Sequence, residues 1–539
     1  MKLRLALLAA AVTCAASLTN ATDIPADQPV EAAIDFSIDA AIKSAGVQPA
    51  PQADDATLIR RLTLDLIGRI PTTAEADDYV KSSDAAKRAK LVDRLLASPG
   101  FARHQAAQFE VMFNPDGERR GDAVRQYMAG AIKDGKSWDT IFKELMLPDD
   151  KDAKQKGASD FLRTRINDTD KLTNDVSVAF FGVNVSCAQC HDHPLVKDWT
   201  QDHFYGMKAF LARTYDAGGS LGERGFGIIK FKPNKGAERT AGMMFLTGAK
   251  LDDKTAREMT KDEQKAEKEA TEKAKKEKLP PPKPAFSARG KLVEVSLQKG
   301  NSSFFAKSIV NRMWHRFFGI GLVNPLDQMH SENPPSHPEL LNWLAKDTAE
   351  HGYDLKRLIR GIVMSQAYSR SSRYPTESMP GPRLFAVAKL KPLTPMQLST
   401  SLKIAATDPA SFENKKPDDF EKAMESAEGS ARGFASLIAT PNENFQIGVG
   451  EALLFSNGDR VMKEFLTDGG ILGKIKNMKE KDEKAAITLL VKAAFNRPPT
   501  DEEVKSISAY LAKRSDRPAE AYRQVLWVLV TSPEFRFNY

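Results

Sequence analysis

The stretch Asp55-Ala56-Thr57-Leu58-Ile59-Arg60-Arg61-Leu62-Thr63-Leu64-Asp65-Leu66-Ile67-Gly68-Arg69-Ile70-Pro71-Thr72-Thr73-Ala74-Glu75 decides the fold class. From Asp55 to Ile67 the apolar residues recur at helical spacing, the mark of a helix with one buried face. Thr72 and Glu75 then form a capping box, in which hydroxyl and carboxylate each satisfy a backbone amide that a new helix leaves free. Downstream, Lys90–Ala97 places Leu91, Val92, Leu95 and Leu96 on one face. The pattern is that of helices joined by short, chemically capped turns.

The same pattern runs outward in both directions. Residues 30–212 read as helices, including Trp138–Leu147 and Leu172–Phe181. Phe304–Phe318 is strongly amphipathic. Ser336 with Glu339 predicts a capping box opening Leu340–Glu350, Asp354 caps Leu355–Tyr368, and Thr394 with Gln397 opens Leu398–Ala406. Residues 484–513 and 518–531 close the chain as helices. The middle differs. Five glycines between Gly218 and Gly227 break any helix, and Phe226–Phe231 and Met243–Leu246 are candidate short strands. Residues 249–285 are nearly all Lys, Glu, Asp and Ala. They cannot repay ordering entropy by burial, so they form an exposed helix or a flexible tether, closed by the polyproline piece Leu279–Pro284.

The expected fold is therefore mainly α, with two helical lobes joined by an irregular, partly β middle segment and a charged flexible linker. The expected division is a signal peptide at 1–21, a helical domain with a C-x-x-C-H motif at 22–212, a Gly-rich then Lys/Glu-rich insert at 213–285, and a second helical domain at 286–539. A weak internal repeat accompanies it. Arg497 to Glu503 repeats the Arg-x-Pro-Thr-x-x-Glu of Arg69 to Glu75, and Ser532-Pro533-Glu534-Phe535 echoes Ser98-Pro99-Gly100-Phe101. Convergence of two helical hairpins on good capping chemistry is the simpler origin, and duplication the other.

Lys2 and Arg4, the apolar run from Leu5 to Ala16 and the small residues to Ala21 form a secretory leader. The run is too short to span a membrane, and no later segment is apolar enough to do so. The expectation is a periplasmic or secreted protein. Losing Lys2 and Arg4 with the leader lowers the formal charge of +7 by two, which gives no case for nucleic-acid binding.

The chemistry concentrates in Cys187-Ala188-Gln189-Cys190-His191-Asp192-His193-Pro194, which holds the two cysteines outside the leader region. C-x-x-C-H is the spacing of covalent haem attachment. Cys187 and Cys190 would each form a thioether, and His191 would ligate the iron. A distal ligand would come from Met207 or His203, or from farther away: Met112, Met313, His315 or His330. His193 lies too close to His191 to reach the opposite face of the same ring. Two other chemistries use the same residues. Cys187, Cys190, His193 and His203 could form a non-haem site suited to zinc or iron, although the fourth ligand of a regular zinc finger is missing after His203. The cysteines could also pair as a disulfide or act as a dithiol.

Other candidates have plainer roles. Arg61 and Asp65 are spaced as an i,i+4 ion pair, Arg312 could pair with Asp327, Trp314 is a core residue, and His337 sits in the first turn of a helix. Asp192 and His193 belong to a hydrogen-bonded turn more simply than to an acid–base pair. No nucleophile elbow, phosphate loop, dinucleotide fingerprint or H-E-x-x-H is present.

The run Phe181 to Pro194, with Trp199 and Asp202-His203-Phe204-Tyr205-Gly206 behind it and Arg60 to Gly68 ahead, resembles the second planctomycete cytochrome-type domain, a domain of unknown function. Phe304 to Trp314, Asn333 to Glu339 and Ser532 to Phe535 are similar to its habitual partner, the planctomycete-specific domain. Together the matches span most of the chain. The resemblance implies an exported protein with haem at the C-x-x-C-H. Many relatives carry a further cytochrome domain with its own motif; this sequence has one C-x-x-C-H, so no in-chain relay is expected. The function expected is electron transfer or oxidative chemistry outside the cytoplasm, with an unidentified redox partner. The alternatives are an exported metal-dependent enzyme, such as a hydrolase on extracellular polymers, or a non-catalytic binding protein with a stapled loop.

Overall fold

The computed structural model describes residues 24–115, 121–193, 196–233, 236–277, 280–301, 303–441, 449–456, 459–478 and 482–539. The leader and Pro194 lie outside the described residues. Helix accounts for 59% of the structure and strand for 5%, so the fold is mainly α.

The helices begin where local chemistry supplies caps. Asp54 accepts from the amide of Thr57 to open helix Asp55–Ile67, which stops at Gly68 in the left-handed conformation (φ 73°). Thr72 and Glu75 form the expected capping box on helix Thr73–Lys81. Glu75 also takes both arms of the Arg69 guanidinium, at 2.7 and 3.1 Å. The C-terminal copy repeats the left-handed stop, the capping box and the arginine fork, while its first helix opens at Asp482 without a side-chain cap. Helix Glu483–Phe495 stops at Asn496 (φ 61°), Thr500 and Glu503 form a box on helix Asp501–Lys513, and Arg497 forks onto Glu503 at 2.8 Å twice. Ser98 and Ser532 cap the amides of Phe101 and Phe535 at the ends of the units. The copies also dock: Arg60 donates to the Ala494 carbonyl and the Asn496 side chain, and Asn496 donates to the Pro71 carbonyl. The two copies thus agree at the stop, the fork, the box and the final cap.

Asp354 and the Thr394–Gln397 box cap their helices as expected. The Ser336–Glu339 box does not form. His337 is the N-cap of helix Pro338–Glu350 without a side-chain cap, and Ser336 instead meets the His337 ring at 3.1 Å. The helix expected over Leu355–Tyr368 breaks at Ser365, whose hydroxyl caps the amide of Tyr368.

In the middle, Thr214–Asp216 pairs antiparallel with Leu221–Glu223, and Ile229–Phe231 with Arg239–Ala241. Met243–Leu246 forms only an isolated bridge, Met244 to Lys250, in place of a strand. The charged segment is a helix, Lys261–Glu277, held by an ion pair from Arg224 to Glu267 at 3.0 Å. No described helix is long and apolar enough to cross a membrane.

Two hydrophobic clusters lie beneath these elements. The larger takes buried residues from Val30 to Ala386; the second takes those from Leu393 to Phe535 and adds Leu64 and Ile70. Helix Ser303–Phe318 therefore shares a core with the first half of the chain. Its Phe305 lies 6.2 Å from Trp138 and 5.0 Å from Phe142 between ring centroids. Periodicity marks which face of a helix is apolar but not which partner covers it.

A polar knot joins the clusters. Asp65 does not serve the expected ion pair with Arg61. Its carboxylate takes the Lys391 ammonium (2.7 Å), the Tyr368 hydroxyl (2.8 Å) and the Asn538 amide (2.8 Å). Arg61 turns to the carbonyls of Tyr368, Arg370 and Tyr539. The i,i+4 reading fails because Asp65 is buried (6% exposed) and meets a cation from another part of the fold.

Candidate functional site

Helix Thr169–Phe181 ends at Gly182, again left-handed (φ 67°). The chain then runs against residues 327–331 from the second half. Asn184 donates to the Asp327 carbonyl (2.8 Å), Met329 donates to the Gly182 carbonyl (3.1 Å), and Val183 bridges Gln328. Arg312 anchors this seam by donating to both the Val178 carbonyl and the Asp327 carboxylate at 2.5 Å, the pairing expected from sequence.

The cysteine loop follows on one turn of tight helix, Ser186–Gln189. Asn184 supports it by accepting from the Ser186 amide and hydroxyl, and the Asn174 side chain accepts from the Val185 amide. Cys187 and Cys190 are free and exposed. Between them, Gln189 is pinned on both ends. Its side chain donates to Asp170 (2.9 Å), and its carbonyl accepts from Tyr205 (3.2 Å) and Gln201 (3.3 Å). Tyr205 stacks on Phe231 at 4.1 Å, and burial together with Asp170 and Cys190 raises its phenol above the ordinary value. Asp170 also pairs with Lys208.

The three histidines of the loop sort by tautomer. His191 is exposed, and its Nδ1 lies 2.8 Å from the Asp192 carbonyl oxygen. A carbonyl only accepts, so Nδ1 carries the proton and the Nε2 lone pair is left for a metal. This is the arrangement in which a ligating imidazole is oriented through its other nitrogen. His193 and His203 are the reverse. Nδ1 of His193 accepts from the Val196 amide (3.1 Å), and Nδ1 of His203 accepts from the Thr200 amide (3.3 Å). The proton then sits on Nε2 and blocks it as a ligand. His203 is a capping residue for helix Gln201–Leu211, with burial lowering its pKa. Met207 on the same helix is fully buried among the core side chains. Asp192 caps the same helix through the Gln201 amide at 2.8 Å, a turn role and not an acid–base one.

The structure thus brings Cys187, Cys190 and His191 to one exposed loop and gives His193, His203 and Met207 structural work. Among the described residues no group of three or more His, Cys, Asp and Glu side chains is gathered to hold a metal ion. Asp170 and Gln189 carry no sequence signal, because their role depends on a contact across 19 positions.

Residues 33–216 match the PSCyt2 family, described as a protein of unknown function (DUF1549), and residues 288–511 match PSD1, likewise described (DUF1553). The chain thus carries a PSCyt2 domain followed by a PSD1 domain. No curated protein and no solved structure matches it. The cysteine loop lies in the PSCyt2 part, and the segment 327–331 that flanks it lies in the PSD1 part.

Proposed function

We propose that this is an exported protein carrying covalent haem c, acting in electron transfer or oxidative chemistry in the periplasm or outside the cell. The observation that carries the reading is the state of the C-x-x-C-H loop: two free, exposed thiols and an exposed His191 whose Nδ1 proton is committed to the Asp192 carbonyl. Cys187 and Cys190 would hold the haem by thioethers, and His191 Nε2 would face the iron. Haem supplies a one-electron centre when bound. The chain's own residues hold the loop in register: Gln189 is fixed from three sides, and Asp192 ties the loop to helix Gln201–Leu211.

The test is expression with the cytochrome c maturation machinery. The purified protein should carry one haem that stays with the chain through denaturation and acid-acetone extraction, and Cys187→Ser with Cys190→Ser should abolish it. Colourless wild-type protein with two titratable thiols would overturn the proposal.

A further inference from the structure

The loop's own histidines other than His191 are spoken for, and Met207 is sealed in the core. One candidate for the distal position comes from the other half of the chain. His330 follows the residues that dock onto the end of helix Thr169–Phe181, through the bonds at Gly182, Val183 and Asn184. On its far side Ser331 is clamped by Asp198 of the cysteine-loop region, which accepts from the Ser331 amide at 2.7 Å and from its hydroxyl at 2.8 Å. His330 is therefore held to this region from both flanks. Asp198, His193 and Glu332 are the titratable groups that act on its ring. Its Nδ1 is buried and has no hydrogen-bond partner among the described residues. A buried polar atom left unpaired is destabilising, so the arrangement points to a missing partner.

We infer that His330 is the second axial ligand of the haem whose first ligand is His191, so that the iron bridges the PSCyt2 and PSD1 parts of the chain. The inference rests on the haem reading above. It explains why the PSD1 part supplies a segment stitched across the loop by backbone bonds, a side-chain clamp and the Arg312–Asp327 pair. Two imidazoles in place of an imidazole and a thioether set a lower reduction potential, because methionine ligation raises it.

The experiment uses full-length protein matured with haem, as wild type, His330→Gly and His330→Met. The readouts are haem covalently retained, ferric spin state by electron paramagnetic resonance, and reduction potential. The expected result is low-spin wild type and a high-spin His330→Gly variant with haem still attached. Imidazole added to His330→Gly should restore the low-spin signal. His330→Met should remain six-coordinate with a raised potential, and it keeps the test decisive should the glycine variant fail to fold. Wild type that is high-spin, or variants that keep the wild-type spectrum and potential, would overturn the inference while leaving the haem proposal standing. Wild type with no covalent haem would overturn both.

Discussion

Replacing Lys391 by methionine should strip the polar knot of its cation and leave the Asp65 carboxylate buried. Asp65 is 6% exposed, and both its oxygens lie 2.7 Å from the Lys391 ammonium. Removing one partner of a buried ion pair costs about 3–5 kcal/mol. Asp65 keeps the Tyr368 hydroxyl and the Asn538 amide, which places the loss near the lower end, about 3 kcal/mol. Lys391 also donates to the Phe317 carbonyl at 2.9 Å, which loses a donor. Asp65→Asn should soften the damage, since the Oδ1 of Asn538 is buried without a partner and an amide at position 65 brings a donor. The double variant Asp65→Asn, Lys391→Met should therefore be more stable than the sum of the single losses by about 2 kcal/mol, within the range for residues in contact. Urea unfolding of all four proteins, followed by tryptophan fluorescence, measures the cycle. A Lys391→Met loss below about 1 kcal/mol, or strict additivity, would refute the claim that this pair ties the two clusters together.

Three further outcomes follow from other sites. Burial alone would raise the Glu75 carboxyl, but the Arg69 fork and the Thr72 amide bring it down to about 2 from an ordinary 4.5. A folded value below the unfolded one gives stability that is full above the unfolded value and is lost as pH falls from about 4.5 to about 2, worth about 3 kcal/mol at neutral pH; Glu75→Gln should remove it and flatten stability against pH in that window, and an unchanged acid profile would count against the fork. Gly182→Ala puts a Cβ at a positive φ and 3.1 Å from the Met329 sulfur; it should cost about 1–2 kcal/mol from the left-handed backbone alone, and equal stability by denaturant titration would show the helix stop to be unstrained. Met207→Leu should cost less than about 1.5 kcal/mol as a volume-conserving core change and leave the spectrum of the matured protein as it was; a spectral change would make Met207 the iron ligand instead.

The helical character of this chain was legible in its sequence because caps and apolar periodicity act within one or two turns. Thr72 with Glu75, Thr394 with Gln397, and Asp354 each form the cap their spacing predicts. Ser336 with Glu339 has the same spacing and fails, because His337 takes the N-cap position and is itself buried. The C-x-x-C-H loop was legible for a similar reason, since its two cysteines and His191 lie within five positions of one another. The choice among its histidines was not. His191, His193 and His203 are alike as letters, and only hydrogen bonds to a carbonyl in one case and to backbone amides in the others decide which nitrogen carries the proton. Long-range pairings were out of reach for the same reason. Asp65 with Lys391, Phe305 with Trp138, and Ser331 with Asp198 join residues more than a hundred positions apart. Local sequence encodes which groups a helix must hide or satisfy; which distant group does so is settled only when the faces meet in the folded core.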